Sequence, residues 1–584
     1  MGMGEGLAQM ESPFTSKFGT NFAPSPVEIL DIWEILLEPA EELHALDEQI
    51  ARLQARRDKL KSFIDNHCAL LSPIRRVPSD ILREIFVQCL PEGHLPTHTI
   101  HQAPLLLTSI CRSWREVAIT TPRLWNRIHI LLRYPRSPPV TDFFRSLMKA
   151  SAEGLDSWLE RSGTMPLTLS LCADTPFDSL WDRAAWIMTE MDEIEALYVD
   201  FARHLLPYAS RWKSLSITVS ARVMDFLKAL PEDFGLTSLE EFKPERRGSK
   251  VNWEALDVVF RRSPSLRSVK LYKAYLDKLP IRWGKLTEVV LSAPSLLPED
   301  AMRVLSLSSS SIRSCTLSIR LPLAHGITAS AVELPIVLRF LHTLKIKMEF
   351  NGRSPTALAL QHLFDAITAP MLKTLSIIST KSLHPGPCVE RNSFLSFLER
   401  SECTLSSFAL DVPVKVADLI AVLRLAPELV ELKLRSVGME ANASLSEFFD
   451  ALTPTSTNPD PLCPRLESLT YVESAAVSSP ASLIALAEAR SCVEPRYPGV
   501  QKLKWMTVGL REFAVDPEIP DKLTGLWEQG MMVLWTSPRD LRNQLSGPES
   551  DWSDSDTFED LHYSTLDIAA ADSVRRNDGV LGPE

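Results

Sequence analysis

The sequence predicts an α/β protein in which an N-terminal helical unit precedes an irregular solenoid of strand–helix repeats. Leucine supplies 85 of the 584 residues. A short motif, apolar-x-x-apolar-x-apolar, recurs between residues 266 and 505 at a mean spacing of roughly 29 residues, which is within the range of leucine-rich repeats. Proline (42) outnumbers glycine (21). This balance favours short elements with abrupt ends over glycine-lined phosphate loops.

Residues 1–40 are predicted to be a flexible lead, and residues 41–67 an amphipathic helix. Apolar side chains three and four residues apart form a coiled-coil seam, which Arg57 interrupts. The seam consists of Leu43, Leu46, Ile50, Leu53, Leu60 and Ile64. Two interpretations stay open: the helix packs on its own chain, or it forms a weak dimer or partner contact.

Residues 68–130 are predicted to form a small helical bundle. Pro78, Ser79 and Asp80 suit the first turn of a helix. One apolar stripe at helical spacing follows over residues 81–89 and another over 105–117, and the proline-containing stretch 91–104 separates them. Residues 131–164 are expected to be linker helices.

Residues 165–509 carry the repeats. An alternating apolar pattern makes a strand with one buried face, and a helical stripe returns the chain. The clear copies are Leu266/Val269/Leu271, Leu286/Val289/Leu291, Leu341/Leu344/Ile346, Leu372/Leu375/Ile377, Leu405/Phe408/Leu410, Leu429/Leu432/Leu434, Leu466/Leu469/Tyr471 and Val500/Leu503/Trp505. Weaker copies begin at Ile194, Trp212, Leu236 and Ile312. Helices are expected at Trp253–Phe260, Phe394–Leu398, Leu419–Leu425, Leu445–Leu452 and Leu483–Ala487.

One repeat cannot bury its own apolar face, so consecutive repeats must stack. An ordinary α/β sheet is the alternative architecture. About twelve strands with short crossovers in chain order favour the solenoid.

The C-terminal segments differ in composition. Residues 510–545 are predicted to cap the last repeat through Leu526, Trp527, Val533, Leu534 and Trp535. Residues 546–584 hold ten acidic residues against two arginines, so we expect an acidic, disordered tail. The tail accounts for most of the net charge of −12. No basic cluster indicates nucleic-acid binding, and no apolar run of 18 residues indicates a membrane span.

The sequence contains no catalytic or phosphate-binding signature. His94, His98 and His101 are close together, but Pro96 breaks any helix that would align them, so we expect a polar loop rather than a metal site. No cofactor or metal is expected, and no catalysis. The nine cysteines form no CxxC motif and no signal peptide precedes them, which predicts reduced thiols in the cytoplasm or the nucleus.

Two segments of the helical bundle resemble a known domain. LLSPIRRVPSDILREIF (70–86) and APLLLTSICRSWREVAITTPRLW (103–125) together resemble the F-box, both halves in order, in the form carried by fungal F-box proteins with a short charged helix ahead of the box. Val77, Asp80 and Ile110 depart mildly from the F-box pattern, and the insert at 91–104 is long.

The resemblance implies docking to the Skp-type adaptor of an SCF ubiquitin ligase, and through it to a cullin scaffold. It assigns adaptor contact to Pro78, Ile81, Leu82, Ile85, Phe86, Leu106, Ile110, Cys111, Trp114 and Arg115. For Trp114 and for Trp125, which closes the motif, the alternative is a place in the internal core.

We therefore expect a non-catalytic receptor whose repeats hold a protein substrate. Outward-facing strand residues are the candidate substrate contacts: Lys270, Lys273, Lys345, Lys347, Lys433 and Arg435. Their charge suits an acidic or phosphorylated target, although solvation of a sheet face explains such residues equally. The alternative function is a leucine-rich scaffold that delivers nothing for ubiquitination.

Overall fold

The structure is a computed structural model. It describes residues 12–133, 141–173, 185–246, 252–271, 279–320, 335–349, 358–379, 391–412, 414–435, 443–472, 480–491, 497–509, 526 and 531–536. They fall into two compact units, residues 1–84 and 85–584. Within these ranges, no helix combines the length and the apolar character that crossing a bilayer would require.

A single long helix, α1 (Pro26–Leu71), dominates the first unit. It begins 15 residues before the predicted start at residue 41, because Ser25 and Glu28 form a reciprocal cap and Pro26 occupies the first turn. Glu28 Oε2 accepts a hydrogen bond from the Ser25 hydroxyl at 2.6 Å and another from the Ser25 backbone N–H at 2.8 Å, and these bonds lower the pKa of the Glu28 carboxyl. Pro39 lies inside the helix, and none of its residues is buried.

The next helix crosses the boundary between the two units. The described helices that follow α1 comprise three short ones in the predicted bundle and others between the strands. They are α2 (Ser79–Gln88), α3 (Leu105–Ile110), α4 (Arg112–Ile119), α5 (Asp142–Arg161), α6 (Ala185–Arg203), α7 (Trp253–Arg262), α8 (Pro298–Ser308), α9 (Leu358–Ala366), α10 (Arg391–Ser401), α11 (Val416–Arg424), α12 (Ala443–Leu452) and α13 (Pro480–Ser491).

Within the described ranges, fourteen strands form one parallel sheet in strict chain order. They are β1 (Arg127–Leu132), β2 (Leu167–Ala173), β3 (Trp212–Val219), β4 (Glu241–Arg246), β5 (Ser268–Leu271), β6 (Glu288–Leu296), β7 (Ser314–Arg320), β9 (Thr343–Glu349), β11 (Thr374–Ser379), β12 (Ser407–Asp411), β13 (Glu431–Arg435), β14 (Ser468–Val472), β15 (Trp505–Gly509) and β16 (Met532–Thr536). β8 (Ile336–Val337) and β10 (Ile367–Thr368) pair separately.

Alternate residues of each strand form rows that run across the whole sheet. Leu344 pairs with Leu375, Leu375 with Phe408, and Phe408 with Leu432, and all four side chains are buried. Parallel strands joined in chain order by right-handed crossovers place their helices on one face. The buried rows lie on that face, so each repeat completes the core of its neighbour. The predicted α/β solenoid-like arrangement is confirmed at this level.

The repeats extend further toward the N-terminus than predicted. Residues 127–161 supply β1 and α5, the first strand and helix of the array, where linker helices were expected from residue 131. The predicted weak copy at Ile194 is wrong, because Ile194 lies within α6. The copies at Trp212 and Ile312 correspond to β3 and β7, and the one near Leu236 leads into β4. The five predicted inter-strand helices are confirmed as α7, α10, α11, α12 and α13.

The last predicted repeat is displaced. Trp505 pairs with Ser468 in an outward-facing row and is 56% exposed, whereas Met506 and Val508 are buried. The motif is therefore Leu503/Met506/Val508 rather than Val500/Leu503/Trp505. β16 then continues the sheet from within the predicted cap. The rest of the cap, apart from Leu526 and Met531, and the whole acidic tail lie outside the described residues.

The register observed at β15 predicts how two substitutions change the free energy of unfolding. Met506→Ala should lower the free energy of unfolding by about 2–5 kcal/mol, because it leaves a cavity in the core. Trp505→Ala, its matched control, should change it by about 0.5 kcal/mol or less, as is usual at the surface. Urea denaturation followed by circular dichroism measures both. The reverse order of the two effects would show that the sequence-based register was right.

Candidate docking surfaces

The helical bundle buries one side of α2. Leu82 and Phe86, both assigned to adaptor contact by the resemblance, are buried. Trp114 on α4 is half-buried, and its ring lies 4.9 Å from that of Phe86. An aromatic pair at this distance stabilises the fold of the bundle. These side chains are therefore packing residues of the bundle in the unbound chain.

Aliphatic side chains on α2 and on α3 face solvent. Ile81 and Ile85, one turn apart on α2, are 54% and 39% exposed. Leu106 and Ile110, one turn apart on α3, are 39% and 55% exposed. An amphipathic surface helix normally places polar residues at such positions. Two helices of one small bundle thus each present an aliphatic pair to water.

Three further residues of the assigned set are also exposed. Pro78 precedes α2, and Cys111 lies at the extended corner between α3 and α4. The Arg115 side chain is held at this corner, because its Nε donates a hydrogen bond to the carbonyl oxygen of Thr108 at 2.8 Å. The corner therefore has a defined shape, with a cation beside the exposed aliphatic pair of α3.

Trp125 connects α4 to the first repeat. It is fully buried, and its indole Nε1 donates a hydrogen bond to the carbonyl oxygen of Ala118 at 2.8 Å. Trp158 of α5 packs edge-to-face against it at 4.9 Å, and the Arg161 guanidinium lies 4.7 Å from the centre of its ring. Of the two interpretations of Trp125, the internal core is confirmed.

The insert at 91–104 lies against β1. The His129 backbone N–H donates a hydrogen bond to the carbonyl oxygen of Pro96 at 2.8 Å, and Thr97 forms a bridge with His129. The His129 ring nitrogen Nδ1 is 2.9 Å from the Ser170 hydroxyl. In the part of the chain that the structure describes, no group of three or more histidine, cysteine or acidic side chains could hold a metal ion.

The outward face of the sheet brings the predicted substrate residues into two rows. Lys270, Lys345 and Lys433 share one row, and Lys347 and Arg435 share the next. Within the first row, consecutive lysines are three strands apart, about 14 Å at the usual strand spacing. Lys273 lies outside the described residues.

Acidic residues on the same face neutralise part of this charge. Lys433 Nζ lies 2.9 Å from a Glu431 carboxylate oxygen, and Arg435 lies 3.4 Å from Asp411 on the adjacent strand. The face is thus a patterned polar surface, and a simple basic patch does not describe it. This pairing removes much of the argument for an acidic target.

Small residues occupy the positions between the lysines. The first row reads Lys270, Val290, Thr316, Lys345, Ser376, Ala409, Lys433 and Thr470. Ser376 is buried, and its hydroxyl has no hydrogen-bond partner in the structure. Only the basic members of this row are predicted as contacts from the sequence. The small residues could have been found from the same motif, because they follow its second apolar position.

Comparisons with known proteins add no assignment. The chain matches no protein-family model, and it matches no curated protein.

His129, where the insert at 91–104 meets β1, is predicted to make the stability of the fold depend on pH. Burial, and secondarily the nearby His94, lower the pKa of the His129 imidazole. The unfolded chain therefore takes up a proton near pH 6.5 that the folded chain does not accept until a lower pH. This contribution to stability is complete above about pH 6.5 and is lost as the pH falls.

His129→Asn should accordingly reduce the loss of stability between about pH 7.5 and pH 5.5. The measurement is the urea midpoint at the two pH values. The wild type, measured at the same two pH values, is the reference. An unchanged pH dependence in His129→Asn would show that this imidazole is not held neutral by the fold.

Proposed function

We propose that the chain is the substrate-recognition subunit of an SCF-type, cullin-RING E3 ubiquitin ligase. The helical bundle acts as an F-box that binds a Skp-type adaptor, and the repeats act as a leucine-rich-repeat array that binds a protein substrate. The observation that carries the proposal is the solvent-exposed aliphatic pair on α3, Leu106 and Ile110, together with Ile85 on α2. All three belong to the set that the F-box resemblance assigns to adaptor contact.

The energetics favour a partner on this surface. Burying one aliphatic side chain that was exposed contributes about 1.5–3 kcal/mol. Three or four such side chains, with Arg115 fixed at the rim by its bond to Thr108, supply the apolar centre and polar edge that specific interfaces have. The buried Leu82 and Phe86 support the helix that presents them.

The repeats supply the second half of the function. Their outward rows offer lysines at regular intervals separated by small residues, with glutamate and aspartate alongside. Such a surface suits a protein segment that contacts several strands through hydrogen bonds and complementary charges. The chain then makes and breaks no covalent bond. It raises the effective concentration of the substrate near the catalytic partners of the ligase.

Charging the exposed aliphatic surface tests adaptor binding. The double variant Ile85→Asp/Ile110→Asp should weaken binding of a recombinant Skp-type adaptor by about 30-fold or more, since truncating one interface anchor commonly removes ~2 kcal/mol. Isothermal titration calorimetry on the full chain measures the dissociation constant. Both side chains are exposed, so the fold should be retained and circular dichroism should match the wild type.

Phe143→Asp is the matched control, because Phe143 is an exposed apolar residue on α5 outside the assigned set. It should bind the adaptor like the wild type. Wild-type binding by the double variant would contradict the docking surface.

A chain that binds the adaptor but delivers no substrate for ubiquitination would be a scaffold instead of a receptor. In cells, the double variant should therefore lengthen the lifetime of proteins that the repeats capture. An unchanged lifetime of every captured protein would contradict the receptor function while leaving the adaptor contact intact.

A further inference from the structure

Helix α1 carries an apolar row that no described residue covers. Assigning Leu43 to a heptad a position places apolar side chains at most a and d positions from residue 29 to residue 71. Of these, Ile29, Leu36, Leu43, Leu46, Ile50, Leu53, Leu60, Ile64 and Leu71 are exposed. The row is thus about six heptads long and begins before residue 41, where the helix was predicted to start.

The charge of α1 changes sign along its length. Residues 26–48 contain eight carboxylates and no lysine or arginine. Residues 49–71 contain five lysines and arginines, Arg52, Arg56, Arg57, Lys59 and Lys61, and two aspartates. One half of the helix is therefore strongly acidic and the other half is basic.

We propose that α1 binds α1 of a second copy of this chain in antiparallel orientation. In that orientation the acidic half of each helix lies beside the basic half of the other. The apolar row maps onto itself when Ile50 lies opposite Leu53 of the second copy. Leu43 then faces Leu60, and the two ends of the row cover one another.

Arg57 distinguishes this arrangement from a parallel one. In a parallel, in-register pair, Arg57 would face Arg57 of the second copy inside the seam. The flanking positions would also place Glu42 beside Asp47 and Arg56 beside Lys61, which are like charges. In the antiparallel pair, Arg57 lies opposite Leu46 and next to Asp47 of the second copy. The antiparallel orientation therefore places unlike charges near one another along the seam, whereas the parallel orientation places like charges there.

Charging the seam tests self-association. The wild-type chain should sediment at twice its mass of 65.4 kDa, and Leu46→Asp/Leu53→Asp should raise the dimer dissociation constant by at least about 100-fold. Ala55→Asp is the matched control, because position 55 lies on the opposite side of the helix from the seam, and it should remain dimeric. Analytical ultracentrifugation of the full chain measures all three.

Orientation has two separate readouts. Raising the salt concentration should weaken an antiparallel dimer, because its charge pairs are attractive, and should strengthen a parallel one. Cys68 is exposed on α1. In the antiparallel dimer the two Cys68 residues are about 50 Å apart at 1.5 Å per residue, whereas in the parallel dimer they are neighbours.

A Leu36→Cys variant completes the test, since position 36 lies near Cys68 of the second copy only in the antiparallel dimer. Treatment with a short bismaleimide followed by peptide mapping should give a 36–68 link and no 68–68 link. A 68–68 link would overturn the orientation, and a monomeric wild type would overturn the proposal. Neither outcome affects the adaptor-docking surface, whose residues lie outside α1.

Discussion

The sheet depends on one constraint: an apolar face that a single strand and helix cannot bury must be covered by the next repeat. The rows from Leu344 through Leu375 and Phe408 to Leu432 satisfy it, because each buried side chain packs beside the equivalent residue of its neighbours. Strict chain order of the fourteen strands follows from this dependence. The opposite face combines lysines with small and polar residues, of which Thr316, Ser376 and Thr470 are buried.

The helical bundle is subject to the same requirement that apolar faces be covered. Trp125 of the bundle packs against Trp158 of the first repeat. The apolar side of the bundle that contains Trp125 is therefore covered by the chain itself. Ile85, Leu106 and Ile110 are not covered in this way. An apolar surface that is left uncovered on a rigid support is the physical basis of docking.

The sequence predicted the repeated strands well, because alternation of apolar residues is a local signal that the sheet uses directly. The prediction failed where the repeat motif fits the sequence in two registers. Leu503 is the second position of one motif and the first position of the other, and only pairing of Trp505 with Ser468 decides between them. The start of α1 was missed although Ser25 and Glu28 form a recognisable cap. At the docking site, helical spacing marked both sides of α2 as apolar. Periodicity does not tell whether the chain itself or a partner covers each side, so Leu82 and Ile85 were assigned the same role.

We propose that the uncovered aliphatic pairs of α2 and α3 bind a Skp-type adaptor. Hydrogen–deuterium exchange of the full chain, with and without a recombinant Skp-type adaptor, tests it most directly. We expect slower exchange over residues 79–88 and 105–119 and unchanged exchange across the strands of the sheet. Protection confined to the strands, or absent from the whole chain, would contradict it.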